Sequence, residues 1–240
     1  MVDLEMIELH SHILPQFDDG STSVEMSLAM LQKMAEQGVA TVCATSHYYA
    51  DENSISAFCE RRAQALKKLL SVMPQELPQI LPAAEVAYYS HISEEYDLER
   101  LCIADTRTLM LEMPFCEWND FQVEEVSTLA LDLGFNVVLV HPERFCFSKG
   151  NIYRLERLAQ LPIGMQVNTS SLIHWRTRKK SLEILQMTER PLLGSDCHNL
   201  TTRPPNLKEG RNIVKKKLGE DFLQILDDGA ALITGAHAVS

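Results

Sequence analysis

Asn136-Val137-Val138-Leu139-Val140-His141 is apolar from its second residue to its fifth and closes on a histidine. Val39-Ala40-Thr41-Val42-Cys43-Ala44-Thr45 is built in the same way. Neither alternates polar with apolar residues. Both therefore read as strands covered on two faces, as in a parallel sheet flanked by helices. Working outward from this pair, further short apolar runs predict strands at 4–10, 79–86, 107–112, 162–167 and 192–195. Longer amphipathic stretches lie between them. The first helix is expected to start at Thr22, where Thr22-x-x-Glu25 reads as a capping box, and to stop at Gly38. Its stripe is Met26, Met30, Leu31 and Met34. Other helices are expected at 54–72, 120–133, 151–160, 176–188 and 206–226. Seven strands and six helices in near alternation, with no repeat, low-complexity stretch or linker, read as a β/α barrel. The fold class is α/β, a single-domain distorted (β/α)7 barrel over residues 1–240.

Composition agrees with one folded domain. The chain has 240 residues, 45% hydrophobic and 23% charged, which excludes a disordered chain. The net charge of −11 argues against nucleic acid as a partner, since phosphate backbones need a basic surface. It leaves room for a small anionic group if bound cations reverse the local field. No apolar run approaches membrane-spanning length, so no integral membrane segment is expected. Met1-Val2-Asp3-Leu4-Glu5 lacks the basic start of a signal peptide, and a cytoplasmic location is expected. Six scattered cysteines without a CxxC pair read as free thiols in a reducing compartment.

The decisive pattern is where histidines and acids fall. His10 and His12 close the first strand and His47 the second, Glu85 the third, Glu112 the fourth and His141 the fifth. Asp196 and His198 close the last, and Asp19 lies in the loop after the first. A lone histidine at a strand end is usually a hydrogen-bonded structural residue. Here almost every strand contributes an imidazole or a carboxylate, the side chains that hold divalent metals. In a barrel these strand ends converge on one face, where active sites are built. His91, His174 and His237 fall outside the pattern and read as surface or packing residues.

These residues also carry a family resemblance. His10-Ser11-His12, followed by Asp18-Asp19-Gly20, resembles the opening motif of the PHP (polymerase and histidinol phosphatase) superfamily. The motifs that follow in order are Thr45-Ser46-His47, Ala84-Glu85-Val86, Leu111-Glu112, His141-Pro142-Glu143-Arg144, Gln166-Val167-Asn168 and Ser195-Asp196-Cys197-His198-Asn199 with Arg203-Pro204-Pro205. Together they resemble the manganese-dependent bacterial protein-tyrosine phosphatases of capsule and exopolysaccharide synthesis. The resemblance spans about residues 7 to 207. It implies a PHP-fold metallophosphoesterase with three divalent metal ions, manganese by family, although these ligand types also suit zinc or iron. It implies that His10, His12, Glu85 and Asp196 hold the first metal, and that Glu85, Glu112 and His141 hold the second. Asp19, His47 and His198 would hold the third. It implies a phosphotyrosine protein as partner, in the first place a bacterial tyrosine kinase. Two places depart from the family pattern: Glu8, where an aspartate is usual, and Asp227-Asp228-Gly229-Ala230-Ala231-Leu232-Ile233-Thr234, where an Asn-Pro ending is usual.

The expected chemistry is direct attack on phosphorus by a metal-bridging hydroxide, with no phospho-enzyme. Arg144 and Arg203 follow ligand-bearing strand ends, and their guanidinium forks suit the phosphoryl oxygens as substrate-binding and catalytic groups. Tyr48, Tyr49, Phe115, Trp118, Phe145 and Phe147 follow ligand positions and either meet a substrate ring or pack over the rim. Cys197 to Arg203 fits the C-x5-R spacing of thiol phosphatases, but the loop has no glycine to wrap an anion and Pro204-Pro205 follow it. The match reads as coincidence. Two alternatives remain: a PHP phosphatase acting on histidinol phosphate or another small phosphomonoester, and a non-catalytic, metal-stabilised binding or scaffold domain.

Overall fold

Parallel strands need long crossovers, and the helical stretches between the apolar runs supply them. In the computed structural model, which describes residues 6–235, nine strands are present among the described residues. They are β1 (Met6–Ser11), β2 (Val39–Ala44), β3 (His47–Tyr48), β4 (Gln79–Pro82), β5 (Glu85–Ala87), β6 (Thr108–Glu112), β7 (Asn136–Val140), β8 (Gly164–Asn168) and β9 (Pro191–Gly194). Every pairing is parallel. One sheet has the order β1-β2-β4 and the other β3-β5-β6-β7-β8-β9.

The two sheets are one distorted barrel. The second predicted strand, 39–45, is β2, and after Thr45-Ser46 the same passage continues as the unanticipated β3; the third, 79–86, breaks at Ala83-Ala84 into β4 and β5. Each half pairs in a different sheet, so seven chain passages make the wall. One seam closes where Asp196 N donates to His10 O at 2.8 Å and His12 N to Cys197 O at 2.9 Å. The other is looser. β4 ends its sheet, and its Pro82 carbonyl accepts from Ala104 N at 2.7 Å, while Arg62 Nη1 donates to Ala83 O at 2.9 Å. A loop and a guanidinium thus satisfy groups that a strand would otherwise pair.

The helices are α1 (Val24–Gln37), α2 (Ile55–Leu70), α3 (Asp120–Leu131), α4 (Lys149–Leu158), α5 (Thr169–Ile173), α6 (Arg178–Leu185), α7 (Leu207–Leu218) and α8 (Glu220–Thr234). The expected cap of α1 is off by one. Ser23, not Thr22, is extended and accepts from Met26 N, while Gly38 ends the helix as expected at φ 92°. The capping box occurs instead on α3, between Asn119 and Gln122. The single helix expected at 206–226 is two, interrupted at Gly219, and α5 was not anticipated. No described helix is long and apolar enough to cross a membrane.

The core has two parts. The larger lies between strands and helices. The smaller fills the barrel with Leu9, Cys43, Ala83, Met110, Val138, Val140 and Leu192, and is closed by Ala230 and Ile233 of α8. Thr108 Oγ1, at the start of β6, donates to Ile233 O at 2.7 Å. The divergent ending Asp227–Thr234 is therefore the plug at the N-terminal end of the strands. Arg211 of α7 pairs with its Asp227. The opposite end is left to the polar residues.

Candidate metal centre

Alternation along β1 and its extension sends His10 and His12 to the same side. Both are fully buried, and each is fixed from behind. His10 Nδ1 lies 2.7 Å from Gln166 Oε1, and His12 Nδ1 lies 2.9 Å from Asp18 Oδ2. An amide or carboxylate oxygen here can only accept, so both Nδ1 atoms carry a proton and the Nε2 atoms are the ones that face inward. The two Nε2 atoms are 3.3 Å apart and lie 3.1 and 3.2 Å from Glu85 Oε2. Asp196 Oδ1 is 3.6 and 3.5 Å from them.

Around this centre the remaining predicted residues gather. Asp19 Oδ1 is 3.2 Å from His198 Nε2 and 3.5 Å from His47 Nε2. His141 Nε2 is 2.7 Å from Glu85 Oε1 and 3.4 Å from Glu112 Oε1. Three overlapping groups each have candidate ligand atoms within 4.8 Å of one another: His10, His12, Glu85 and Asp196; His12, Asp19, His47 and His198; and His47, Glu85 and Glu112. The structure brings all nine sequence-predicted ligands together. It also makes His12 and His47 neighbours of more than one group.

The cluster fits divalent cations on its own geometry. Glu85 Oε2, Asp196 Oδ1, His47 Nδ1 and His198 Nε2 are buried without a hydrogen-bond partner among the described residues. Unpaired buried polar atoms are costly, and a cation among them would remove the penalty. Charge is held in a strained balance. Burial pushes the Glu112 carboxyl up and the neighbouring Glu85 adds to it, to about 7. Burial alone would push His10 down, but Glu85 and Asp196 outweigh it and raise the imidazole to about 9. Two of the candidate ligands sit at positive φ, His141 at 34° and Asp196 at 54°. Such conformations cost of order 1–3 kcal/mol each and persist where the surroundings dictate them. Here His141 N is tied to Gln166 O at 2.7 Å and Asp196 N to His10 O.

The sequence points to the candidate ligands but not to the residues that orient them. Asp18 takes His12 Nδ1, His47 N at 3.1 Å and Gly20 N at 3.0 Å. A Cβ on Gly20 would lie 2.3 Å from His12 O, so this turn admits only glycine. Gln166 passes the contact onward. Its Nε2 donates to Asn168 Oδ1 at 2.9 Å, and Asn168 Nδ2 donates to Asp196 Oδ2 at 2.7 Å. Glu143 accepts from Asn168 N at 3.0 Å. Glu8 crosses the closing seam and accepts from His10 N at 3.1 Å and Ser195 N at 2.8 Å. The longer side chain at this departure from the family pattern thus reaches both strands. All five residues lie in or beside quoted motifs. That adjacency was their only signal.

Arg203 Nη2 lies 2.6 Å from Asp196 Oδ2 and its Nη1 3.9 Å from Asp19. Arg144 Nη1 lies 3.9 Å from the same Asp196 oxygen. Both guanidinium groups border the cluster and remain partly exposed. Cys197 is fully buried, and burial, with Glu8 nearby, pushes its thiol well above the usual range. In the following loop the N–H groups of Thr201, Thr202 and Arg203 all donate to Asn199 Oδ1. They are spent within the loop and form no anion cradle. Of the histidines left aside, His91 is exposed and pairs with Glu94, His174 is exposed, and His237 lies outside the described residues.

A family model described as capsular polysaccharide synthesis, CpsB/CapC, matches residues 6–233. The chain belongs to the CpsB/CapC family. Similar members include tyrosine-protein phosphatase YwqE of Bacillus subtilis, 28% identical, with 95% of this chain and 91% of YwqE aligned. Tyrosine-protein phosphatase CpsB of Streptococcus agalactiae is 26% identical, with 98% and 100% aligned. Among solved structures, one reported with YwqE of Bacillus subtilis and CpsB of Streptococcus pneumoniae as metal-dependent tyrosine phosphatases superposes with a TM-score of 0.83. It is 26% identical and covers 98% of this chain and 96% of its own. A phosphotriesterase homology protein from Escherichia coli, 12% identical at a TM-score of 0.60 with 98% and 100% covered, shares the barrel fold. The candidate metal centre of this CpsB/CapC chain thus sits on a fold shared with the YwqE/CpsB structures and with more distant barrels.

Proposed function

We propose that this CpsB/CapC protein is a metal-dependent protein-tyrosine phosphatase acting as a single cytoplasmic domain. Its substrate would be phosphotyrosine on a bacterial tyrosine kinase of capsule or exopolysaccharide synthesis. The observation that carries the reading is the cluster of nine imidazoles and carboxylates, buried except at Asp19 and the partly exposed His47 and Glu112, with unpartnered buried atoms on Glu85, Asp196, His47 and His198, bordered by two arginines. His10, His12, Glu85 and Asp196 would hold one ion, Glu85, Glu112 and His141 a second, and Asp19, His47 and His198 a third. Manganese follows from the family resemblance. When bound, divalent ions supply a nucleophile at neutral pH and charge to oppose the phosphate.

The protein's own residues do the rest. Arg144 and Arg203 place two guanidinium forks beside Asp196, where they bind and orient phosphoryl oxygens as charge shifts during transfer. Asp18 and Gln166 hold protons on Nδ1 of His12 and His10, which keeps both Nε2 atoms free. The tyrosyl oxygen, with a phenol pKa of about 10, leaves more readily than an alkoxide. Cys197 takes no part.

The test is metal removal followed by separate reconstitution with manganese, zinc and iron. Turnover is then measured on phosphotyrosine peptides, phosphoserine peptides and histidinol phosphate. Phosphotyrosine hydrolysis that vanishes with the metal and returns with manganese is expected. Preference for histidinol phosphate would favour the small-molecule reading, and metal loading without turnover of any substrate the scaffold reading.

A further inference from the structure

The structure sorts the aromatic residues that follow the ligand strands. Tyr48, Trp118 and Phe145 are buried and serve packing. Tyr49 stacks on His47 and is half-buried on the Asp19 side. Phe147 is exposed but meets no ring or cation among the described residues. Phe115 differs from all of these. It lies three residues beyond Glu112 and is 57% exposed. Its ring sits 4.7 Å from that of Phe145, which in turn lies 5.7 Å from the His141 ring. The Arg144 guanidinium carbon stands 4.8 Å from the Phe115 ring centre. The same guanidinium reaches toward Asp196.

An exposed phenylalanine on a loose loop would mean little. This loop is pinned. Trp118 Nε1 donates to Pro114 O at 3.1 Å, Trp118 N to Asn151 Oδ1 at 2.8 Å, and Asn151 Nδ2 to Cys116 O at 3.0 Å. Met113 and Trp118, on either side, are buried. The chain therefore holds an apolar ring in water, beside the arginine assigned to the phosphoryl group, on a fixed support. A phosphoryl group held by Arg144 carries its leaving group one ester oxygen away. For an aryl ester that group is a flat ring, and it would reach the mouth next to Phe115.

We propose that Phe115, backed by Phe145 and Arg144, receives the phenyl ring of phosphotyrosine and sets the preference for aryl over alkyl phosphate esters. Offset or edge-on contact between two rings would supply the preference. This inference rests on the phosphatase reading above.

The experiment compares kcat/KM for a phosphotyrosine peptide with that for the phosphoserine peptide of the same flanking sequence. It uses metal-reconstituted full-length wild type, Phe115→Ala, Phe115→Leu and Phe115→Tyr, with metal content and thermal stability checked in each. The aryl-to-alkyl ratio should fall about threefold to tenfold in the alanine and leucine variants, the range expected for one aromatic pair. Tyrosine should restore it. An unchanged ratio overturns the proposal. That includes the case where both substrates slow together, which would mean that Phe115 only steadies Arg144. Wild type that fails to hydrolyse the phosphotyrosine peptide would sink the underlying phosphatase reading instead, whatever residue stands at 115.

Discussion

The two ends of the barrel solve opposite problems. At the N-terminal end of the strands, Ala230 and Ile233 of α8 seal the interior with apolar side chains. At the C-terminal end, His10, His12, Glu85 and Asp196 are equally inaccessible, yet they are ionisable and crowded together. The plug gains stability by removing apolar surface from water. The cluster loses it through desolvation and unpartnered polar atoms. A fold able to hold such a cluster needs its stability elsewhere, and the plug is one such place. Substitutions at the two ends should therefore fail differently: chemistry at one, stability at the other.

The largest effect is expected at the arginines. Removing one charge-stabilising donor typically costs about a hundredfold or more in rate. Arg144→Ala and Arg203→Ala should each lose about that much turnover on a phosphotyrosine peptide while keeping metal and fold. Lysine at either position keeps the charge but not the fork and should still be impaired. Steady-state kinetics with parallel metal analysis decides. Arg203 is the sharper case because it already holds Asp196 Oδ2. If Arg203→Ala loses metal as well as turnover, the arginine supports the cluster and the division of roles fails.

Next comes the orienting chain behind His10. Gln166→Leu leaves His10 Nδ1 and Asn168 Oδ1 without their partners. Residues behind the ligands typically alter metal affinity by about 10–100-fold. The metal concentration for half-maximal activation should rise by about that factor, with thermal stability recovering at saturating metal. Wild-type affinity in this variant would show that His10 needs no help from β8.

At the plug, Ile233→Ala removes a side chain only 3% exposed. Such deletions cost about 2–5 kcal/mol. Denaturant melts should show that loss, whereas kcat per folded, metal-loaded molecule should stay near wild type. A large fall in kcat at low temperature, with the fold intact, would mean that the two ends are coupled.

Much of this architecture could be read from residue types alone. Apolar runs such as Asn136–Val140 declare their strands, and histidines or acids at strand ends declare the candidate site, because both signals are local. The breaks at Thr45-Ser46 and Ala83-Ala84 are not local. They arise because each half of the passage finds a different sheet, and nothing in residue type says so. The single helix expected over 206–226 followed an amphipathic pattern through Gly219, where the structure divides it. Thr22 and Ser23 are adjacent cap candidates, and only backbone phasing chose Ser23. Gln166 and Asn168 were visible as a motif but had no role. Their partners, His10 and Asp196, are distant in sequence and become neighbours only when the barrel closes.

The smallest expected effect concerns Cys197, and it separates two mechanisms. A thiol nucleophile must be ionised, accessible and cradled by free N–H groups. Cys197 meets none of these conditions: it is buried, its thiol is pushed well above the usual range, and Asn199 holds the N–H groups of the loop behind it. Its place is structural, beside the seam where Ser11 and Cys197 bridge β1 to the segment after β9. Cys197→Ser should therefore keep most of the metal-dependent turnover. Serine puts a hydroxyl into a buried site, so a modest loss of stability, about 1–2 kcal/mol, is compatible with the argument. Cys197→Ala, which adds no polar group, separates that cost from any chemical one. If both variants fold, retain metal and still lose turnover by a hundredfold or more, the nucleophile is the thiol, and the cluster above it does something other than activate water.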